Sequence, residues 1–394
     1  MKEEINISEL RTGHFVVDIG SQRGTYKLTQ AGHIKNDLVI KNLIAKGVES
    51  IIIDTDKTLK IPAKKLAFED EDFSPIPPES PGVFELDKAK KLFNESKRIQ
   101  RQVFDAAFVG KPIDIEPIHA VTDKTIDAIF KNPDALACII NIRIKDEYLL
   151  EHSVSVSVLM TIFSRYLRID KEIIQQLAVG AFLHDVGKIM VPEEVLNKPG
   201  KLTDDEFTLM KTHVTHSIEI IKNTPGISAI SLEVAALHHE KINGTGYPHN
   251  VKGDDITTYG RMIAICDIFD ALTAHRCYKD GYSHMKAFSI LRNLGESEHL
   301  DKRLVNLFIN CMGVFPVGSL VALNSNKLAI VERRNTEDPT KPKVRAFYSA
   351  KHHHYVEAKD IDLARDKDFI TKGVRADDFD LDMNKIIEFL ITEG

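Results

Sequence analysis

A pair of adjacent histidines, His238 and His239, ends an apolar run and constrains this chain more than any other feature. Charged residues follow at once, and then a loop that contains Gly246, Tyr247 and Pro248. Glycine lets the backbone of such a loop approach a ligand closely. Two imidazoles beside a loop of this kind indicate a metal site next to a phosphate or nucleotide pocket.

The segment that contains the pair, from about residue 134 to 313, shows helical periodicity almost throughout and no convincing strand. Within it, Thr203 is followed three residues later by Glu206, which is the signature of a capping box. The helix that this box opens carries another histidine, His213. The pattern predicts an all-α domain in which several histidines are carried by helices.

The N-terminal part of the chain has a different character. Residues 1–72 alternate short runs rich in β-branched residues with one helical pattern, which predicts a small α+β accessory or regulatory domain. Residues 73–84 are rich in proline and are typical of a linker. Residues 85–133 are predicted to form connecting helices between this linker and the helical domain.

The helical domain is assigned to residues 134–315, and the pattern changes again after it. Residues 316–394 contain short β-like runs divided by turn signals, followed by an amphipathic helix from Asp382 to Ile391. They predict a small β-rich C-terminal subdomain. The predicted fold class is therefore mainly α, with an all-helical domain between a small α+β domain and a small β-rich subdomain.

Composition limits the class of protein. With 394 residues, 43% apolar and 28% charged, the chain has the composition of a soluble protein of two or three domains. A net charge of −6 gives no general attraction to nucleic acid or anionic membranes, so neither DNA nor a membrane is expected as a partner. Four cysteines without CxxC spacing, and no apolar run of membrane-spanning length, predict a cytoplasmic protein with reduced thiols.

Metal-binding side chains are concentrated in the helical domain. Seven of them are candidates for ligands: His152, His184, Asp185, His213, His238, His239 and Asp267. His152 lies in an amphipathic pattern and, taken alone, is more typical of a hydrogen-bonded core histidine. His213 has a neighbour, His216, that can face inward with it. So many such residues on helices of one domain indicate a metal site, because each buried neutral histidine needs a partner on both nitrogens.

The donor set suggests the metal and its chemistry. Imidazoles without thiolates suit iron, manganese or zinc rather than calcium or magnesium. Adjacent helical residues point about 100° apart, so His184 and Asp185 can bind one ion from two sides while the carboxylate reaches a second. Two ions stabilise both the attacking and the leaving oxygen of a phosphoryl displacement. Lys188 lies on the same helical face as the pair, although a lysine there can also simply complement the helix dipole.

These motifs resemble a known family. His184-Asp185, with His152 upstream and Asp267 downstream, is similar to the HD-domain metal-dependent phosphohydrolases. The segment from His238 to Pro248 matches the HHExxxGxGYP pattern of the HD-GYP subfamily, and DALT at 270–273 matches another of its motifs. The resemblance covers about residues 134–315, and it implies that this segment is an HD-GYP catalytic domain. Residues 1–72 also resemble the small accessory domain that often precedes it.

The resemblance implies an enzyme, a bacterial phosphodiesterase that hydrolyses cyclic di-GMP and/or 3′,3′-cyclic GMP-AMP to the linear dinucleotide. It assigns His152, His184, Asp185 and Asp267 to a first metal, and His213, His238 and His239 to a second, with Asp185 as the bridge. A hydroxide held between the metals attacks phosphorus, with Asp185 and Lys188 as catalytic residues. Five residues are implied to bind substrate: Gly246, Tyr247, Arg276, Tyr278 and Lys279.

The resemblance also implies two divalent metal ions per chain. Tyr148 stands where some members carry the glutamate of a third metal site, so a third ion is not expected. Iron or manganese is favoured, with zinc, nickel and magnesium as alternatives. Two further departures are Cys277, where members have proline, and Val214 in place of the proline after the third histidine.

Two other functions are compatible with parts of this pattern. A degenerate HD-GYP domain binds a cyclic dinucleotide or a partner protein without hydrolysis, and other HD phosphohydrolases act on different nucleotides. Two further candidate partners are a second copy of the chain and signalling proteins of the diguanylate-cyclase type. The motifs do not choose between the two cyclic dinucleotides.

Overall fold

The computed structural model describes residues 2–10, 14–24, 28, 31–34, 37–55, 83–141, 148–274, 281–335, 337–382 and 385–386. The chain divides into two compact units, residues 1–71 and 72–394. The proline-rich stretch predicted as a linker lies almost entirely outside the described residues. Within the described residues, no helix combines the length and the apolar character needed to cross a bilayer.

The first unit is a four-stranded antiparallel sheet with one helix. Its elements are β1 (Lys2–Asn6), β2 (Phe15–Gln22), β3 (Gly32–His33), α1 (Asp37–Ala45) and β4 (Val48–Asp54). The strand order is β1-β4-β2-β3. Val16, Ile51 and Ile53 are buried in its core, as β-branched residues on the covered face of a sheet are expected to be. The predicted α+β class of this segment is confirmed.

The helices of the second unit follow one another along the chain. They are α2 (Val83–Phe108), α3 (Glu116–Lys131), α4 (Pro133–Ile140), α5 (Tyr148–Tyr166), α6 (Lys171–Leu183), α7 (Glu193–Leu196), α8 (Asp204–Lys222), α9 (Ala229–Leu237), α10 (Thr258–Thr273), α11 (His284–Glu296) and α12 (Lys302–Met312). A short 3-10 turn, Val186–Met190, follows α6. The predicted all-helical domain is confirmed. The capping box also forms, since Thr203 Oγ1 accepts from the Glu206 amide while the Glu206 carboxylate accepts from the Thr203 amide.

Helix α5 is the central helix of this domain. The sequence pattern suggests an amphipathic helix, but every residue from Glu151 to Ser164 is buried. Two of its hydroxyl side chains bond to backbone carbonyls: Ser157 Oγ donates to Ala178 O of α6, and Thr161 Oγ1 donates to Ser157 O, both at 2.8 Å. The amphipathic interpretation was therefore wrong for this helix, and the histidine near its start lies in the interior.

The C-terminal subdomain is a five-stranded antiparallel sheet in the order β8-β7-β6-β5-β9. Its strands are β5 (Leu320–Leu323), β6 (Lys327–Arg333), β7 (Lys343–Ser349), β8 (His354–Asp362) and β9 (Ile370–Gly373). An ion pair of 2.8 Å between Arg334 and Asp134 attaches it to α4. The predicted β-rich character is confirmed, whereas most of the helix predicted at 382–391 lies outside the described residues.

Candidate metal centre

The seven predicted ligands converge in the interior of the helical domain. His152 lies in the second turn of α5, His213 in the middle of α8, and Asp267 in the middle of α10. The other four follow directly on the C-terminal ends of two apolar helices, His184-Asp185 after α6 and His238-His239 after α9. Six of the seven are buried, and His239 is half-buried.

Two close helix contacts bring these residues together. A side chain on Gly180 of α6 would place its Cβ 2.6 Å from Ser231 O, so only glycine lets α9 approach so closely. Ser231 Oγ then donates to Gln176 O at 2.7 Å. Because α6 and α9 are held side by side, the imidazoles that follow them are neighbours, with His184 and His238 ring centroids 4.8 Å apart.

The turn after α6 is held against α8 in a similar way. A Cβ on Gly187 would lie 2.1 Å from His213 O, and the Gly187 amide donates to Ser217 Oγ at 2.8 Å. This contact places Asp185 beside His213, with Asp185 Oδ1 3.3 Å from His213 Nε2. Glycine within the HDVGK segment is thus required by helix packing.

Backbone carbonyls determine which ring nitrogen faces the centre. The Nδ1 atoms of His184, His213 and His238 each lie 2.7 Å from the carbonyl oxygen three residues earlier. A carbonyl only accepts, so Nδ1 carries the proton and donates. The lone pair of each ring is then on Nε2, which is the atom directed at Asp185. This is the orientation in which histidine binds a metal.

His152 obtains the same orientation from a side chain. Its Nδ1 lies 2.7 Å from Asp270 Oδ2, while its Nε2 lies 3.0 Å from Asp267 Oδ1 and 3.3 Å from Asp185 Oδ2. In the sequence, Asp270 stands out only as part of the DALT motif, which does not reveal this contact. The signal that points to it is a carboxylate three residues after Asp267, in a stretch of α10 from Met262 to Leu272 that is otherwise apolar.

The ligand atoms form two groups, with Asp185 between them. His152, His184 and Asp185 make one group, and the three remaining histidines make the other; within each group the ligand atoms lie within 4.8 Å of one another. Asp185 Oδ2 is 3.3 Å from His152 and 3.4 Å from His184, whereas Oδ1 is 3.3 Å from His213 and 3.8 Å from His238. Each carboxylate oxygen thus faces one group, which is the arrangement that a bridging ligand requires.

Two buried atoms indicate that the residues fit a divalent cation. His184 Nε2 and Asp185 Oδ1 are buried and have no hydrogen-bond partner within the described part of the chain. A buried polar atom without a hydrogen-bond partner destabilises the folded state by about 1–3 kcal/mol. Both atoms are lone-pair donors directed into the centre, and a metal ion satisfies both at once.

The protonation states of the side chains in the centre also suit a divalent cation. Burial lowers the pKa of His213 to about 4 and lowers the pKa of His238 well below its usual range, so both imidazoles are neutral at pH 7. Burial works to raise the pKa of Asp185, but the Lys188 ammonium and neighbouring imidazoles outweigh it and hold that pKa well below its usual range. Neutral imidazoles and ionised carboxylates are the forms that bind metals.

Lys188 reaches this centre from the 3-10 turn. Its Nζ forms an ion pair with Asp185 Oδ2, and its side chain is only 16% exposed. The ammonium therefore lies at the edge of the first ligand group rather than in solvent at a helix end. It is placed where a bound anion would meet a positive charge next to the candidate metal ligands.

The predicted substrate loop borders the second group. Tyr247 packs its ring 4.7 Å from His239 and 6.3 Å from His213. A Cβ on Gly246 would lie 2.5 Å from Glu240 Cα, so glycine is needed for the loop to fold back on the histidine pair. The remaining predicted substrate residues, Arg276, Tyr278 and Lys279, lie outside the described residues.

His216 does not belong to the centre. Its side chain is 35% exposed, and its nearest carboxylate is Glu219 on the same helix at 4.0 Å. His213 is buried and His216 is not. The rotation of α8 about its axis therefore turns His213, and not His216, toward the centre.

Two family models match parts of this chain. Residues 137–304 match the family described as the HD domain, and residues 2–118 match a domain of unknown function called DUF3391. This chain contains an HD domain. The predicted HD-type domain with a small accessory domain ahead of it is confirmed.

Three relatives have assigned activities. A cyclic di-GMP phosphodiesterase of Pseudomonas aeruginosa is 29% identical over 93% of this chain and 90% of its own length. Two Vibrio cholerae proteins match about a third of this chain. A cyclic di-GMP phosphodiesterase is 44% identical over 34% of this chain and 29% of its own length. A 3′3′-cGAMP-specific phosphodiesterase is 41% identical over 32% of this chain and 24% of its own length.

Proposed function

We propose that this chain is a metal-dependent phosphodiesterase that hydrolyses cyclic di-GMP, 3′,3′-cyclic GMP-AMP or both to the linear dinucleotide. The observation that carries the proposal is the position of Asp185, whose two oxygens face two separate groups of histidine nitrogens. Paired ions that share one carboxylate are suited to phosphodiester hydrolysis. The substrate class follows from the names of the relatives.

The cofactor is proposed to be two divalent ions per chain, iron or manganese. His152, His184, Asp185 and Asp267 would hold the first. The other ion would be held by His213, His238 and His239, with Asp185 shared. Imidazole-rich sites without thiolate are typical of these metals, with zinc, nickel and magnesium as alternatives.

When bound, the ions supply Lewis acidity, which activates water and polarises the scissile phosphate. Residues of the chain orient the ligands, stabilise charge and limit access of water. Asp270 and three backbone carbonyls keep the imidazoles in the metal-binding tautomer. Lys188 donates toward the phosphate and stabilises the negative charge that develops on its oxygens. Tyr247 covers the second histidine group from one side and limits access of bulk water.

The experiment is product analysis on anaerobically purified protein loaded with Mn²⁺ or Fe²⁺. Cyclic di-GMP, 3′,3′-cyclic GMP-AMP and a nucleoside triphosphate are offered separately, and products are identified by mass spectrometry. A linear dinucleotide, formed by the wild type and absent with Asp185→Ala, supports the proposal. Tight binding without turnover would indicate a binding module instead, and turnover of the triphosphate alone would indicate a different HD phosphohydrolase.

A binding-only domain is the second candidate, but the site gives it less support. Domains of that kind usually lose metal ligands, whereas all seven candidates are present and converge. A second copy of the chain or a diguanylate-cyclase-type protein as partner remains a prediction. Size-exclusion chromatography with light scattering tests the first of these.

A further inference from the structure

An exposed aromatic ring lies beside the candidate centre and has no role in it. Phe207, in the first turn of α8, is 47% exposed. Its ring centroid lies 6.3 Å from that of Tyr247, with the two planes at 86°. Tyr247 in turn packs 4.7 Å from His239. Phe207 is thus separated from a candidate metal ligand by one aromatic ring.

The position of Phe207 on its helix explains its exposure. It precedes Val214 by seven residues, so the two lie on nearly the same side of α8. Val214 is fully buried, but the first turns of α8 extend beyond the core. At this end the neighbour is the loop with Tyr247, and the Nζ atom of Lys211 lies 5.3 Å from the Phe207 ring centroid. An apolar ring and a cation are therefore placed together at the edge of the site.

We propose that Phe207 is a stacking platform for one purine base of the cyclic dinucleotide, with Lys211 beside it to meet the ligand's negative charge. This inference rests on the proposed function and names a substrate contact for it. A purine presents a flat π-face, and stacking on an aromatic side chain is a general way of holding a base that is not paired. The ring centroids are 6.3 Å apart from Phe207 to Tyr247 and 4.7 Å apart from Tyr247 to His239, and this spacing leaves room for a ligand whose phosphate and base are separated by a sugar.

A second phenylalanine provides a matched control. Phe130 of α3 is 38% exposed and has two cations over its ring, Arg165 Cζ at 5.3 Å and Lys171 Nζ at 5.7 Å from the centroid, so like Phe207 it is an exposed ring with a cation beside it. Lys171 begins α6, thirteen residues before His184. At 1.5 Å per residue, this end of the helix is about 20 Å from the candidate centre. A general effect of losing a surface phenylalanine should therefore appear equally at both positions.

The chain contains no tryptophan, which allows a direct optical test. The variants Phe207→Trp and Phe130→Trp each introduce a single tryptophan whose fluorescence reports stacking. Each metal-loaded variant is mixed with cyclic di-GMP or 3′,3′-cyclic GMP-AMP in a stopped-flow instrument, and the emission is read before turnover. Steady-state kinetics are measured in parallel on Phe207→Leu and Phe130→Leu, which keep apolar bulk and remove the aromatic face.

The expected result is rapid quenching in Phe207→Trp and none in Phe130→Trp. Phe207→Leu should raise KM by roughly 5-fold or more, with kcat and metal content little changed, because base stacking on an aromatic residue stabilises binding by that order. Phe207→Trp should retain a KM near that of the wild type. Equal kinetics of the two leucine variants, with no quenching in Phe207→Trp, would overturn this inference alone. A wild type that neither binds nor hydrolyses a cyclic dinucleotide would instead overturn the proposed function, and the stacking role with it.

Discussion

The imidazole of His152 and the carboxylate of Asp270 form a buried hydrogen bond, with Nδ1 2.7 Å from Oδ2. Both side chains are inaccessible to solvent. The bond holds the opposite nitrogen, Nε2, 3.0 Å from Asp267 Oδ1. A carboxylate behind a ligand histidine fixes the tautomer of the ring and makes it a stronger base. Asp270 is therefore assigned a positioning role toward the first candidate metal.

Replacing Asp270 tests this role. Asp270→Ala should lower the affinity of the first metal about 10- to 100-fold, because the ring loses both its orientation and its added basicity. Asp270→Asn keeps an acceptor and should have a smaller effect. Metal content is measured by mass spectrometry after dialysis against graded concentrations of chelator. Metal retention by Asp270→Ala equal to that of the wild type would contradict the assignment.

Lys188 is expected to act on the transition state rather than on metal binding. Lys188→Ala should lower kcat about 100- to 1,000-fold with metals retained, since an ammonium directed at developing charge contributes on that order. Arg276→Ala is expected from the sequence chiefly to raise KM. Lys198→Ala, which removes a surface ion pair with Glu206, is the control and should leave both constants unchanged. An effect of Lys188→Ala on KM alone would make Lys188 a binding residue.

The number of metals is a separate prediction. The resemblance to the HD-GYP subfamily places Tyr148 where the glutamate of a third metal site is expected. Elemental analysis of anaerobically prepared protein should therefore approach two ions per chain, and Asp185→Ala should lose metal from both groups. Three well-occupied sites in the wild type would show that another carboxylate replaces the missing glutamate.

The hydrogen bonds at the start of α8 predict how the stability of the fold depends on pH. Hydrogen bonds from Lys198 and from the Thr203 amide hold the pKa of Glu206 below its usual value of 4.5. Because the folded pKa is lower than the unfolded one, this stabilisation is present above about pH 4.5 and is lost as pH falls through the folded value.

The measurement is the Tm of Glu206→Gln and of the wild type between pH 7 and pH 3. The variant should have the lower Tm at neutral pH, and the difference should shrink below about pH 4.5 as Glu206 is protonated. The exposed Glu219→Gln on the same helix is the control. A difference in Tm that is constant across the range would exclude ionisation of Glu206 as its cause.

The parts of the structure that depend on local sequence could be predicted without coordinates. The helical domain follows from apolar periodicity, and the start of α8 from the Thr203–Glu206 box, because both involve residues within one or two turns. The candidate ligands were also identified from residue type and motif. Adjacent pairs such as His184-Asp185 carry that information within a few positions of the chain.

Contacts between residues that are far apart in the sequence could be determined only from the tertiary structure. Asp270 lies behind His152 although 118 positions separate them, and Phe207 meets Tyr247 across two elements. The burial of α5 on all sides likewise depends on the helices around it and not on its own alternating pattern. Asp185 faces both histidine groups because close packing at glycines brings α6, α8 and α9 together. Periodicity specifies which face of a helix is apolar, but long-range packing determines which side chains meet there.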